Sequence, residues 1–415
     1  MTKLKQNVIY KLSEGVINVL ASIFQYYILT HYFTPAQVGN FAFVLSAVMI
    51  VKTLTLSHGV LHVLVRQISQ GEASEKKLFS NAFFLRLFLV SLGGLILLPA
   101  IYSLEYFSQT KDALLLVLGG FLVYDIFQLS EGYLVGKERV KETAIIRSLG
   151  QIILVLSFGL IVFFQADFFW VFWSYLLSLF ISGILLLATS GSYQLVQRRW
   201  VKKASLRALF IQSLPITLMG LLAQLYVRVD VVMLKWFLGE EQVGIYATAY
   251  KPLDYLMVLS GMMTIAFFPV LSKLVTQNQD KFKRLYRKNI LTYLKFFFPL
   301  TIIVALLAKP LIQLFYGAPY LSAQISLQIL MLAALFAYLN APSSSILIAL
   351  KKQTLYLAAV ALSFLVNFSL NLILIPRLGI EGAAIATVFT EITLLFFSAT
   401  VIYREIKFLP FIKEK

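Results

Sequence analysis

The sequence predicts an all-α integral membrane protein with twelve transmembrane helices, arranged in two parallel six-helix halves around a central cavity. Three observations predict it. Of 415 residues, 60% are hydrophobic and only 13% charged, with a mean hydropathy of +0.83, more apolar surface than a soluble domain can cover. Stretches of about twenty mostly apolar residues recur along the whole chain, bounded by charge or by Gly and Pro. The most basic connections between them alternate with the least basic ones. At about 35 residues per span and loop, such helices fill the chain and leave no room for a separate soluble domain.

The expected spans run over residues 8–33, 38–65, 78–102, 112–136, 142–164 and 168–188, then 208–237, 244–271, 290–315, 325–350, 354–375 and 382–403. This gives an N-terminal six-helix bundle at 1–190, a cytoplasmic linker at 191–206 and a C-terminal six-helix bundle at 207–415. One set of connections carries Lys3, Lys5 and Lys11; Arg66, Lys76 and Lys77; Lys137, Arg139 and Lys141; the run from Arg198 to Arg207; the run from Lys273 to Lys288; Lys351 and Lys352; and Arg404, Lys407, Lys413 and Lys415. The opposite set holds only Lys111, Lys235, Lys309 and Arg377. The positive-inside rule therefore places both termini in the cytoplasm, and an even number of spans keeps that parity.

Most of the net charge of +17 is then topogenic charge facing membrane lipid, and nucleic acid is not an expected partner. There is no cysteine, which removes disulfides, thiolate chemistry and Cys-based metal sites. The N-terminal MTKLKQNVIYKLSEGV lacks a small-residue cleavage site and reads as the start of the first helix, not as a removable signal.

Gln37-Val38-Gly39-Asn40-Phe41-Ala42 recurs as Gln242-Val243-Gly244-Ile245-Tyr246-Ala247. The first copy falls between spans one and two and the second between spans seven and eight. Two parallel copies of one six-helix unit, related by an axis along the membrane normal, account for that placement.

Several spans carry polar stripes. In the first, Asn7, Lys11, Glu14, Asn18, Ser22 and Gln25 follow one another at helical intervals, and in the second Lys52, Thr55, Gly59, His62 and Arg66 do the same. Span seven presents Ser213, Thr217, Gly220, Gln224 and Arg228; span eight presents Lys251 and Asp254 one turn apart, with Pro252 between them favouring a kink. A helix surrounded by lipid cannot carry such a stripe cheaply, so these faces are expected to meet a hydrated cavity or a partner helix.

With the hairpin turning near Glu240, Arg228 and Lys251 fall at similar depth, where Asp230 and Asp254 can pair with them. Two readings follow. In the first, Arg228, Lys251, Lys52 and Arg86 hold an anionic headgroup, with Asn18, Gln25, His62 and Gln224 lining the cavity. In the second, the charges are structural ion pairs, with Asp230, Asp254 and Glu14 as pairing or ion-coupling groups. Asp125, Gln128 and Glu131 in span four, Ser363, Asn367 and Asn371 in span eleven, and Thr387 and Glu391 in span twelve are expected to hydrogen-bond between helices. Arg147 and Lys295 are expected to snorkel.

No Gly-rich phosphate loop, metal-spaced His-Glu pair or nucleophile elbow is present, so catalysis is not expected. A membrane glycan polymerase or ligase is the enzyme alternative. Such enzymes usually need a large outer loop, and the longest outward connection, near residues 309–324, is short.

The segments Leu209-Phe-Ile-Gln-Ser-Leu-Pro215, Tyr226-Val-Arg-Val-Asp230-Val-Val-Met233, Gln242-Val-Gly244-Ile-Tyr246 and Phe268-Pro269-Val-Leu-Ser272 resemble the second half of polysaccharide-type (oligosaccharide-lipid) flippases of the multidrug/oligosaccharidyl-lipid/polysaccharide exporter superfamily. Ile375-Pro376-Arg-Leu-Gly379-Ile-Glu-Gly382-Ala-Ala-Ile-Ala-Thr387 is similar to that family's boundary between helices eleven and twelve, and Phe33-Thr-Pro35-Ala-Gln-Val-Gly39 agrees less specifically. The resemblance implies a flippase that moves an undecaprenyl-diphosphate-linked oligosaccharide across the bacterial cytoplasmic (inner) membrane by alternating access. It also implies the polysaccharide polymerase machinery as a partner and no cofactor beyond a coupling H⁺ or Na⁺. By the same resemblance Arg228 and Lys251 would hold the diphosphate or an acidic sugar, with Lys52 and Arg86 as further contacts.

Two relatives of that family fit less well. Lipid II flippases usually have fourteen spans and extra arginines in the first helix, whereas this one carries Glu14 and no arginine. Drug and toxin exporters, the alternative within the superfamily, place an acid later in the first helix and suit organic cations.

Overall fold

A computed structural model describes residues 3–71, 74–103, 108–277 and 279–407; Lys413 and Lys415 of the basic C-terminal set lie outside them. Among the described residues there is no strand. The helices are α1 (Lys3–Tyr32), α2 (Pro35–Thr53), α3 (His58–Gln70), α4 (Glu75–Tyr102), α5 (Ser108–Gly136), α6 (Val140–Phe163), α7 (Trp170–Ser190), α8 (Lys203–Leu238), α9 (Glu240–Gln277), α10 (Gln279–Leu306), α11 (Ala308–Phe315), α12 (Gln324–Ala349) and α13 (Gln353–Ile406). The protein is an all-α membrane protein, and among the described residues ten helices are long and apolar enough to cross a bilayer.

Two of the expected spans are joined within α13, 54 residues long. Its direction changes at Gly379, whose φ of 63° and ψ of −138° are non-helical. A Cβ on Gly382 would lie 2.4 Å from the Leu374 carbonyl oxygen, so the chain folds back on itself where only glycine leaves room. Span eight is the 38-residue α9, continuous through Pro252.

The second expected span, by contrast, is two helices. Residues 54–57 separate α2 from α3, and Leu56 takes a positive φ of 59°. Backbone groups released by a break inside a membrane need new partners. Thr53 Oγ1 donates to the Ile50 carbonyl at 2.6 Å, and Thr55 Oγ1 donates to the Lys52 carbonyl at 2.8 Å. Local hydroxyls thus satisfy the broken ladder.

The chain divides into two compact units. Unit 1 comprises Met1–Ile28 and Phe43–Leu225; unit 2 comprises Leu29–Ala42 and Tyr226–Lys415. In unit 1, α5 packs against α3, α4 and α7, and α6 against α7. Val60, Leu64, Phe79, Leu89 and Leu129 form its buried core, with Leu209 of α8. In unit 2, α12 is the hub for α9, α10 and α13. Its buried Ala333, Ala334 and Ala337 let neighbouring backbones approach, which drives packing where lipid removes the hydrophobic incentive. The outer face of α1 exposes Ile9, Val16, Leu20 and Phe24, as a bilayer solvent favours.

The repeated hexapeptide becomes a close crossing within unit 2. A Cβ on Gly39 would lie 1.8 Å from the Glu240 carbonyl oxygen, and one on Gly244 would lie 2.0 Å from the Pro35 carbonyl oxygen. Each glycine faces the residue one turn before the other glycine, so the contact is reciprocal. The sequence repeat is therefore also a local structural symmetry.

Candidate functional site

In unit 1 the break between α2 and α3 lies beside a buried charge cluster. The carboxylate of Asp125, on α5, is its centre: Arg86 Nη2 lies 3.3 Å and Lys52 Nζ 3.9 Å from Oδ1, while Ser57 Oγ donates to Oδ2 at 2.6 Å. Arg86 Nη2 also donates to Gln128 Oε1 at 3.1 Å, and the Lys52 ammonium sits 4.9 Å from the Phe121 ring centroid. Placing Ser57 outside a regular helix is what lets its hydroxyl reach Asp125. A continuous helix over 38–65 would not release that residue.

Arg86 is 1% exposed, and its Nε and Nη1 are buried with no hydrogen-bond partner among the described residues. Two cations and one carboxylate sharing a low-dielectric core make Asp125 indispensable to both. His58 stacks edge-on with His62 at 5.1 Å in the first turns of α3. His62 itself is exposed.

In unit 2 the relevant groups lie on α8, α9, α12 and α13. Lys251 Nζ and Asp254 Oδ2 are 3.5 Å apart along α9, with side chains 21% and 43% exposed. Asp230 is buried. It accepts from the Tyr246 hydroxyl at 2.8 Å and from the Val231 backbone N–H at 2.7 Å. Lys251 thus pairs with Asp254, and Asp230 accepts from a tyrosine and a backbone donor. Arg228 is half-buried. It shares the electrostatic neighbourhood of Tyr250 with Asp230, Asp254 and Glu391.

Glu391 of α13 is a second buried acid. Tyr226 donates its hydroxyl to Glu391 Oε1 at 2.5 Å, and Asn340 Nδ2 donates to Oε2 at 2.7 Å. A hydrogen bond to a charged group contributes about 1.5–3 kcal/mol. Tyr226→Phe is accordingly expected to lower the apparent melting temperature of the detergent-solubilised protein by about 5 °C; an unchanged melting curve would show that the bond carries little stability.

The first-helix stripe is placed within unit 1. Lys11 Nζ pairs with Glu14 Oε2 at 2.7 Å, and Gln25 Nε2 donates to Gln151 Oε1 at 3.0 Å. Asn18 is half-buried, with Oδ1 buried and unpartnered among the described residues. Gln224 is half-buried on α8. Lys52 and Arg86 are brought together on Asp125 in unit 1; Arg228, Asp230, Lys251 and Asp254 are grouped in unit 2.

Glu391 hydrogen-bonds between helices as expected, to Tyr226 of α8 and Asn340 of α12. Two roles escaped the sequence reading. Asp125 is an ion-pair hub and not merely a helix-to-helix hydrogen bond. Arg147, expected to snorkel, donates to Glu131 Oε2 at 2.6 Å. The missing signal for Asp125 was the demand made by two intramembrane cations with no acid within a turn on their own helices.

A family described as polysaccharide biosynthesis protein matches residues 4–275, and a second, MatE, matches residues 215–373. The probable low-salt glycan biosynthesis flippase Agl15 of Haloferax volcanii is 26% identical over 365 residues, covering 85% of this chain and 73% of that protein. The solved structure of the lipid II flippase MurJ in an inward closed conformation is similar with a TM-score of 0.76 at 15% identity, over 96% of this chain and 87% of that one. An inward-facing multidrug resistance MATE family transporter of the MOP superfamily gives 0.75 at 15% identity, over 96% and 98%. At these identities the structural likeness is one of fold.

Proposed function

Because the chain belongs to the polysaccharide biosynthesis protein family, we propose that it is a flippase moving an oligosaccharide linked to undecaprenyl diphosphate from the cytoplasmic to the outer leaflet. Both termini face the cytoplasm, and the site is exposed to each side in turn. The family match over residues 4–275 is the observation that carries this reading, and the name of Agl15 supports the substrate class.

The diphosphate needs a positive site, the sugars need a hydrated path, and the polyprenyl chain can remain in lipid. Arg228 and Lys251 suit the first task, since neither is sealed: Arg228 is half-buried and the Lys251 side chain is 21% exposed. Lys52 and Arg86 are tied to Asp125 within unit 1. Asp230 and Asp254 beside the headgroup cations are the carboxylates to carry a coupling H⁺ or Na⁺.

The test is translocation in cells and in vesicles. Arg228→Ala and Lys251→Ala are each expected to cut the appearance of lipid-linked glycan at the outer face by about tenfold, the loss of roughly one charge-assisted contact. Membrane levels should stay unchanged, and lectin accessibility of the glycan is the readout. Undiminished flipping in both variants would overturn the anion-site assignment.

The MatE match over residues 215–373 favours one second reading, a cation-coupled exporter of the same superfamily. Normal surface glycan together with altered dye efflux after gene deletion would select it.

A further inference from the structure

A half-enclosed cleft of about 200 Å³ lies in unit 1 where α3, α4 and the start of α8 meet. Gln67 of α3, Lys77 and Asn81 of α4, and Ser205 and Gln212 of α8 supply its polar lining, beside an apolar floor that includes Leu209. Drug-sized ligands occupy roughly 300–1,000 Å³, so this space suits something smaller.

The cleft is rigidly built. Ser80 and Asn81 pin residues 195–202 against α4: Ser80 Oγ donates to the Leu195 carbonyl at 2.8 Å, Asn81 Nδ2 donates to the Trp200 carbonyl at 3.1 Å, and the Lys202 N–H donates to Asn81 Oδ1 at 3.4 Å. Gln212 is oriented by Arg66, whose Nη2 donates to its Oε1 at 2.8 Å. That bond leaves the two amide N–H donors of Gln212 without a partner among the described residues. The Gln67 amide and the Lys77 ammonium have none there either.

The cleft therefore presents the free Gln67 amide, the amide N–H donors of Gln212, an ammonium and a hydroxyl over a small apolar patch. Planar amides pair with vicinal hydroxyls as donor and acceptor at once, an apolar patch accepts the C–H face of a ring, and an ammonium calls for an anion. Arg66, Lys76, Lys202 and Arg207 stand in the flanking segments and add positive potential. We propose that this cleft binds one sugar ring carrying a negative group, a hexose phosphate or a hexuronic acid. In the flippase reading, on which its role rests, it selects the glycan on the side that the charge distribution assigns to the cytoplasm.

The test uses the full-length protein in phosphatidylcholine nanodiscs, with glucose 1-phosphate, N-acetylglucosamine 1-phosphate and glucuronic acid as probes in saturation-transfer difference NMR. At least one probe should receive saturation at its ring protons. That signal should fall about fivefold in Gln67→Leu and in Lys77→Leu, the loss of roughly one hydrogen bond. No transfer from any probe, or equal transfer in the cleft variants with unchanged melting curves, would overturn the proposal. Suppression of the signal by phosphatidylglycerol in the nanodisc would also overturn it, marking a phospholipid headgroup site instead. Sugar binding without translocation would count against the flippase reading alone, and translocation without sugar binding against the cleft alone.

Discussion

Asp125→Ala is expected to lower the apparent melting temperature of the purified protein by about 10 °C and to reduce its level in the membrane. Removing one member of a buried ion pair costs about 3–5 kcal/mol, because the remaining charge is stranded away from water, and at this chain size each 1 kcal/mol shifts the midpoint by about 2–4 °C. Here two charges are stranded. Arg86, 1% exposed, cannot turn outward to solvent, and Lys52 keeps the Phe121 ring as a weaker partner. Ser57 also loses the acceptor at 2.6 Å that fixes the residue before α3.

Asp125→Asn separates charge from shape, since it keeps the acceptor for Ser57 while removing the compensation for Arg86. It should fall between the parent and the alanine variant. A buried pair replaced on both sides by apolar groups is often neutral, so Asp125→Leu combined with Arg86→Met should recover most of the loss. A melting curve for Asp125→Ala within about 2 °C of the parent would show that the cluster is not structural, which would favour direct headgroup contact by Lys52 and Arg86.

The contrast between what was legible in the sequence and what was not has a physical origin. Spans are written in local composition, because a bilayer makes every twenty-residue segment satisfy the same constraint. The turn at Gly379 was legible as a boundary between two spans for the same reason, although the residues form one 54-residue helical run interrupted at a single glycine. The break at residues 54–57 was hidden, because Lys52, Thr55, Gly59, His62 and Arg66 keep helical intervals straight through it. Thr55, which belongs to the polar stripe in the sequence, and its neighbour Thr53 are the residues that cap the broken ends.

Partners across helices were illegible for a different reason. Spacing along one helix says which side chains share a face, but not which acid on another helix the face will meet. Asp125 meets Arg86 and Lys52 while Glu131, six residues later on α5, meets Arg147. A charge inventory offers both of these acids, together with others in the spans, and cannot make the assignment. On α9, where Lys251 and Asp254 share a helix, local spacing was enough to find the pair.

Gly39→Leu and Gly244→Leu are expected to abolish translocation while leaving each helix intact. A Cβ at either position would fall within 2.0 Å of a backbone carbonyl oxygen, and a carbonyl in a helix cannot rotate aside as a side chain can. Relief therefore requires the start of α2 to move away from the start of α9. Overpacking of this kind costs about 1–3 kcal/mol, whereas replacing a helical glycine with a good helix former contributes up to about 1 kcal/mol in the other direction. The helices themselves should thus persist and the crossing should open.

If the crossing is the outer closure in the alternating-access reading, opening it by about 1.4 kcal/mol multiplies the open population about tenfold. The absence of cysteine makes this directly measurable. Val243 is fully buried at the crossing, so a Val243→Cys reporter should resist a membrane-impermeant maleimide. In the Gly39→Leu background its labelling rate should rise about tenfold or more, without loss of helical circular dichroism. Because the contact is reciprocal, Gly244→Leu should give the same rise. Fast labelling from one glycine variant and none from the other would show that the two halves of the repeat are not equivalent, and unchanged labelling with full translocation in both would remove the crossing from the mechanism.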